Sequence, residues 1–298
     1  MVRSLDDALD DFGDLRGAFR TVSEALLIAG FVTAQLPRLT QAVAALGSVP
    51  ARLPFLPVYM MKLATCFLNI ALPTTAGQAA LSIRFFQRQG VPAATSVVSG
   101  LVDSFVNNVI QAALLGSLLL FSGLSLHLQT NGATSGGGKH TALFVIAIAC
   151  VVVMVALLVS GRLRRLLLAQ LRQWWPDARA AAATLRDRQK LAQLVGGNVA
   201  TELLFASSLA LIVHAFGTDI TLIEALFVNL TAALLVTFIP VPGGIGVAES
   251  ALVVGLTGLG VGQDAAFASA ISYRVSTFYL PPIWGWAAMR WLEAKHYL

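Results

Sequence analysis

Two side chains of opposite charge, Glu249 and Arg274, lie in the apolar C-terminal part of the sequence. Glu249 follows the stretch "PVPGGIG", in which two prolines and three glycines interrupt a hydrophobic run. A charge among apolar residues is costly unless it has a partner or faces a polar cavity. We therefore expect Glu249 and Arg274 to meet across the fold, at a polar cavity that binds a ligand.

The elements that carry these charges are predicted to be membrane helices. Of 298 residues, 57% are hydrophobic and only 12% are charged, whereas about a quarter of a soluble domain is charged. The mean hydropathy is +0.77, and apolar runs near the roughly 20 residues that cross a bilayer recur along the chain. The last run covers about residues 265–286. We expect an all-α, polytopic transmembrane helix bundle with about 6–8 membrane segments.

Positive charge is concentrated in one loop. Residues 162–190 hold eight basic side chains and two acidic ones, whereas Lys139 is the single Lys or Arg of the polar loop at 125–140. Because loops rich in Lys and Arg stay in the cytoplasm, we place 162–190 inside and 125–140 outside. The net charge of +5 then reflects membrane orientation, and no nucleic-acid partner is expected.

The predicted domain organisation has three parts. Residues 1–20 carry five aspartates among apolar residues at helical spacing. This pattern predicts an amphipathic cytoplasmic lead-in and not a secretory signal. A transmembrane domain covers 21–290, and a basic tail covers 291–298. The side of the membrane on which the tail lies stays open, because the apolar stretch 251–261 is too short to cross at about 1.5 Å per residue.

The break before Glu249 has a counterpart earlier in the chain. The segment "IALPTTAGQ", which contains Pro73, Gly77 and Gln78, also ends an apolar run with proline, glycine and a polar residue. A Gly-Val pair follows each break at a similar spacing, at Gly90-Val91 and at Gly260-Val261. We interpret this as two diverged, repeat-like halves covering about 50–125 and 220–290.

Matched breaks of this kind predict a binding site. Irregular backbone at membrane depth is tolerated where it is buried in protein or lines a watery cavity, and paired interrupted segments indicate a transport site. A helix that starts after "PGGIGV" presents free N–H groups, which suit an anion such as a lipid phosphate. A re-entrant hairpin that packs tightly for purely structural reasons is the alternative. The predicted substrate-binding residues are Glu249, Arg274, Gly243, Gly244, Gly246, Pro242, Pro73, Gly77, Gln78, Asp103 and Glu202.

Two longer stretches carry a family resemblance. "PVPGGIGVAESALVVGLTGLGV", followed by "AISYRVSTFYLPPIWG", resembles the C-terminal part of the lysylphosphatidylglycerol synthase transmembrane-region family. "ALPTTAGQAALSIRFFQRQGVPAATSV" is similar to the N-terminal motif of that family, and the resemblance covers about residues 20–290. The family consists of flippase-like membrane proteins, so the resemblance implies handling of a lipid headgroup across the bacterial inner membrane.

The sequence departs from the family pattern mainly in its first half. Gln78 stands where the motif normally ends in Glu, and Leu81 stands where an arginine is usual. Asp103-Ser104 replaces an acidic-Arg pair, and Ala248 replaces the Arg that usually precedes the second Glu. The second half thus keeps Glu249 and Arg274. These departures imply a different headgroup or a loss of flipping.

We expect a lipid translocator and not an enzyme. No soluble stretch is long enough for an aminoacyl-transferring domain, and the four histidines lack metal-ligand spacing. No cofactor and no metal are therefore predicted. The expected partner is a membrane lipid, either a phospholipid or a polyprenyl-linked lipid, and a homodimer or an envelope-synthesis partner stays open. The alternative function is a non-transporting scaffold subunit of an envelope-synthesis system. An intramembrane enzyme acting on polyprenyl-phosphate lipids is the least favoured function.

Overall fold

The structure is a computed structural model that describes residues 23–71, 75–121, 187–238 and 241–298. The lead-in at 1–20, the loop at 125–140, most of the basic loop at 162–190 and Pro73 lie outside the described residues. Within the described ranges every regular element is a helix, as the composition predicted.

The described ranges contain ten α-helices, one 3₁₀ turn and one π-helix. In chain order they are α1 (Glu24–Thr33), α2 (Pro37–Ser48), α3 (Phe55–Ala71), α4 (Thr75–Arg88), α5 (Ala93–Phe121), α6 (Arg188–Ala215), α7 (Leu222–Phe238), a 3₁₀ turn (Pro242–Gly244), α8 (Val247–Gly258), α9 (Gln263–Arg274), a π-helix (Val275–Tyr279) and α10 (Pro281–Ala294).

Two of the described helices are long and apolar enough to cross a membrane. The apolar part of α5 covers Ala93–Leu118 and has a hydropathy of 1.3, and α6 has a hydropathy of 1.5 over 28 residues. Such a helix is about 42 Å long at 1.5 Å per residue, which exceeds the hydrocarbon core of a bilayer. The chain is thus a helical membrane protein. The number of membrane crossings stays a prediction.

Helix α6 is the centre of the described bundle. It packs against α1, α2, α5, α7 and α9. Glycine permits its closest approach, because a Cβ at Gly197 would lie 2.7 Å from the backbone nitrogen of Ala44 on α2. Leu209 and Ile212 of α6 are fully buried in a core that also contains residues of α7 and α8. Side chains on α6 can therefore contact several helices at once.

Both halves of the chain show the same order of elements. A 17-residue helix, α3 or α7, is followed along the chain by a shorter helix, α4 or α8. Each shorter helix ends at a left-handed glycine, Gly90 at φ 81° or Gly260 at φ 90°. The next residue, Val91 or Val261, is buried and donates its N–H back into the helix at 3.0 and 3.2 Å. This common turn agrees with the Gly-Val spacing, while the boundaries of the halves stay predictions.

Candidate functional site: a polar helix break and a buried network

Glycines set the backbone of the break between α7 and α8. The 3₁₀ turn Pro242–Gly244 begins it, and Gly243, Gly244 and Gly246 all have positive φ, at 66°, 62° and 84°. L side chains rarely adopt this region of backbone space. At Gly243 space is also limiting, because a Cβ would lie 2.6 Å from Cζ of Phe278. The glycines of "PGGIG" are therefore a requirement of this turn.

Glu249 caps the helix on which it lies. Helix α8 begins at Val247, one residue before the start that the sequence predicted, and the N–H of Gly246 donates to Oε2 of Glu249 at 2.7 Å. A carboxylate in the first turn is favoured there by the free N–H groups and the helix dipole. The position predicted for an external anion thus holds the protein's own carboxylate. The sequence did not show this, because Glu249 can reach Gly246 only once the glycine turn has formed.

The predicted pairing of Glu249 and Arg274 is present. Nε of Arg274 donates to Oε1 of Glu249 at 2.9 Å, and Nη2 donates to the carbonyl oxygen of Gly243 at 3.0 Å. The guanidinium lies 4.3 Å from the ring centre of Phe278, and the hydroxyl of Tyr279 donates to Oε1 of Glu249 at 3.2 Å. The two charged side chains are only 12% and 13% exposed. One arginine thus joins α9 to both sides of the break.

A π-helix directly after Arg274 places Phe278 and Tyr279 beside it. The carbonyl oxygen of Ser276 accepts from Nε2 of Gln35 at 2.9 Å, and that of Thr277 accepts from Nη2 of Arg38 at 3.0 Å. π-Helical turns occur often at functional sites. Sequence reasoning missed this element and both of its partners. The available signal was the basic Arg38 next to a proline inside an apolar segment.

In the first half, Asp103 has its own partner. Nζ of Lys62 on α3 donates to Oδ2 of Asp103 at 3.1 Å, and Nδ2 of Asn198 lies 3.4 Å from Oδ1. Lys62 was not among the predicted residues. Gly77 and Gln78 lie in α4 and not in the second break. Helix α3 itself does pack against the 3₁₀ turn of that break.

Glu202 lies in a buried network at the centre of the bundle. Its side chain is 3% exposed. Oε1 accepts from Nε2 of Gln111 on α5 at 2.8 Å, and Oε2 accepts from Nδ2 of Asn229 on α7 at 3.3 Å. Oδ1 of Asn229 accepts in turn from the hydroxyl of Tyr273 on α9 at 2.7 Å. Glu202 thus connects to the residue beside Arg274 without touching the break.

The comparison with known protein families agrees with this fold. A bundle of apolar helices with an ion pair at a broken helix defines a helical membrane protein with a polar internal site. The sequence matches the family described as "Lysylphosphatidylglycerol synthase TM region" over residues 8–285. The chain belongs to this family, which gives it a membrane location and a lipid-related role. No curated protein matches the sequence.

Within the described ranges, no group of three or more His, Cys, Asp or Glu side chains is arranged to hold a metal ion.

Proposed function

We propose that this protein is a multi-pass lipid translocator of the bacterial inner membrane. In this proposal it moves a phospholipid or polyprenyl-linked lipid with an anionic or modified headgroup between leaflets and catalyses no chemical change. The observation that carries the proposal is the Glu249–Arg274 ion pair at a glycine-built helix break. The opposite charges of this ion pair can bind the charged groups of a polar headgroup, and the family of the protein has a lipid-related role.

The surroundings of the ion pair suit a molecule with a polar head and apolar tails. Val241, Ile245 and Tyr279 border the break and are 38%, 53% and 40% exposed. Their apolar surface can contact acyl chains while the ion pair contacts the headgroup. Arginine is the side chain best suited to phosphate, because its planar guanidinium donates two parallel hydrogen bonds.

The ion pair also provides a way to bind and release the headgroup. A lipid phosphate takes the place of the Glu249 carboxylate on Arg274, since both are oxyanions that accept from a guanidinium. Glu249 then accepts from a hydroxyl or ammonium of the headgroup. When the lipid leaves, the ion pair re-forms, so the empty carrier holds no unpaired charge at membrane depth. The exchange therefore replaces one set of charge-assisted bonds with another.

The Lys62–Asp103 pair offers a second position for the headgroup in the other half. It has the same kind of chemistry, a cation and a carboxylate at 3.1 Å, on helices that precede and follow the first break. A headgroup then passes from one ion pair to the other as the two halves move.

Reconstitution tests this function. The purified full chain is placed in vesicles of phosphatidylglycerol and phosphatidylethanolamine with a trace of labelled phosphatidylglycerol, and leaflet exchange is followed by quenching of the outer label. Arg274→Ala and Glu249→Gln are expected to slow exchange about 10- to 100-fold, as loss of a charge-assisted hydrogen bond predicts.

The matched controls are Arg290→Ala and Glu293→Gln, both exposed on α10, and they should exchange lipid at the wild-type rate. Unchanged rates in both site variants would reject the assigned site. Co-purification of one stoichiometric partner, with no lipid movement, would instead favour a scaffold subunit.

A further inference from the structure

We propose that Glu202 is a proton-binding site that couples lipid movement to the proton gradient. The proposal rests on the proposed function, because it assigns an energy source to the same translocator. It starts from the position of the carboxyl group. Glu202 lies within α6, one of the two helices long enough to cross the membrane, and is 3% exposed. Carboxyl groups inside membrane proteins are costly and often serve as proton relays.

The bonds of Glu202 come from neutral side chains. Gln111 and Asn229 each donate one hydrogen bond to it, at 2.8 and 3.3 Å. Among the described residues Glu202 forms no ion pair, whereas Glu249 and Asp103 both do. A structural carboxylate at this depth is expected to have a cation beside it. A carboxyl group that changes its charge needs partners that tolerate both states.

Amide side chains meet that need. An amide can donate through its NH₂ group or accept through its oxygen. With Glu202 ionised, both amides donate to it. When a proton adds to Oε1, the group becomes a neutral acid whose O–H donates, and Gln111 rotates so that its amide oxygen accepts. One proton is bound, an O–H···O bond replaces the N–H···O bond between Gln111 and Glu202, and Asn229 keeps its bonds to Glu202 and Tyr273.

The charged and titratable groups on the surrounding helices have hydrogen-bond or ion-pair partners other than Glu202. Arg38 of α2 donates to Thr277 and Gln41, and Asp103 of α5 is paired with Lys62. Tyr273 of α9 donates to Asn229, and Arg274 is paired with Glu249. The remaining acidic groups of these helices are Glu24 in the first turn of α1, Glu224 in the first turn of α7 and Asp264 in the first turn of α9.

The network places Glu202 between the two ion pairs. Asn198, one helical turn earlier on α6, lies 3.4 Å from Asp103, and Tyr273 is followed directly by Arg274. A charge that appears at Glu202 therefore acts on both halves. Opening of the contacts between α5, α6 and α7 would let water reach Glu202 and stabilise its charged form. Packing that excludes water favours the protonated group, with one amide rotated to accept, so proton loss accompanies opening.

The test measures the final leaflet distribution and not the rate. Full chain in vesicles of phosphatidylglycerol and phosphatidylethanolamine, with a trace of labelled phosphatidylglycerol, receives a gradient of about one pH unit. Coupling of one proton per lipid predicts an about tenfold shift in the leaflet ratio, because one pH unit is a tenfold concentration ratio. Glu202→Gln cannot bind a proton and should abolish the shift. Glu293→Gln, exposed on α10, is the matched control and should keep it.

Three results would overturn the proposal. The first is a wild-type leaflet ratio that does not change with the pH gradient. The second is a Glu202→Gln leaflet ratio that shifts as much as that of the wild type. The third is loss of the shift in Glu202→Asp, which keeps a titratable carboxyl, because that loss indicates a purely structural role. A shift that survives in Glu202→Asp and disappears in Glu202→Gln supports proton binding.

A second measurement separates this proposal from the proposed function. If the wild-type protein moves no labelled lipid, translocation of that lipid fails, and infrared titration of the purified full chain decides the proton site. A carboxylic-acid C=O band that disappears as the pH is raised in the wild type and in Glu293→Gln, but is missing in Glu202→Gln, supports proton binding at Glu202. Absence of that difference overturns it.

Discussion

The Glu249–Arg274 and Lys62–Asp103 ion pairs differ in the number of their further hydrogen-bond partners. Arg274 and Glu249 have the carbonyl of Gly243, the N–H of Gly246 and the hydroxyl of Tyr279 as further partners. Lys62 and Asp103 have only Asn198 among the hydrogen bonds described, and they are more exposed, at 22% and 18% compared with 12% and 13%. The Glu249–Arg274 pair thus bonds to backbone atoms of the helix break, whereas the Lys62–Asp103 pair joins two helices, α3 and α5.

This difference explains how the first half tolerates its departures from the family pattern. Neither Leu81 nor Ser104 supplies the arginine of the family pattern, so Asp103 takes its cation from another element. Lys62 on α3 supplies it. The charge is neutralised without a glycine turn, and the pair depends less on a single backbone geometry. The second half therefore carries the stricter structural requirement.

The largest expected effect separates the two ion pairs by stability. Arg274→Ala leaves Glu249 without its cation and should lower the free energy of unfolding by about 3 kcal/mol, the value for breaking a buried pair. Lys62→Ala should lower it by about 1 kcal/mol, because its pair is more open to solvent. Thermal unfolding in detergent measures both. Equal losses would show that the surrounding bonds do not strengthen the second pair.

A smaller effect is expected from the glycines that build the breaks and turns. Gly243→Ala forces a Cβ to within 2.6 Å of Phe278 at φ 66°, and should destabilise the protein by about 2 kcal/mol. Gly90→Ala has a similar φ of 81° but nothing within 4 Å, so about 1 kcal/mol is expected from backbone strain alone. Unfolding midpoints of the two variants give the comparison. A loss at Gly90 as large as that at Gly243 would remove the steric part of the explanation.

The smallest effect concerns the outermost partner of the second ion pair. Tyr279→Phe removes one 3.2 Å hydrogen bond to Glu249 and keeps the ring, so about 0.5–1 kcal/mol of stability should be lost. Glu293→Gln, exposed on α10 and outside the break, serves as the control. A loss above about 2 kcal/mol for Tyr279→Phe would mean that the hydroxyl, and not Arg274, holds Glu249 in place.

Sequence reasoning predicted the features that depend on one short stretch of residues or on the apolar character of the whole chain. The break follows from prolines and glycines in one short stretch, and α8 begins at Val247 where that stretch ends. The Glu249–Arg274 pairing was predictable because opposite charges in apolar surroundings must find each other. The π-helix was not predictable, because residues 265–286 read as one apolar run. Its free carbonyls are satisfied by Gln35 and Arg38 from the far end of the chain.

Composition, with its long apolar runs, determined that the chain is a helical membrane protein. A segment in lipid must satisfy its own backbone hydrogen bonds, and an apolar run of roughly 20 residues does so as a helix. Only the tertiary structure decided which polar side chains meet. Lys62 with Asp103, and Glu202 with Gln111 and Asn229, are pairs set by the crossing of separate helices. Their sequence spacing carries no signal, since the approach of two helices depends on small residues such as Gly197 at their contact. The tertiary structure also placed Glu249 on its own helix end, where the sequence had left room for an outside anion.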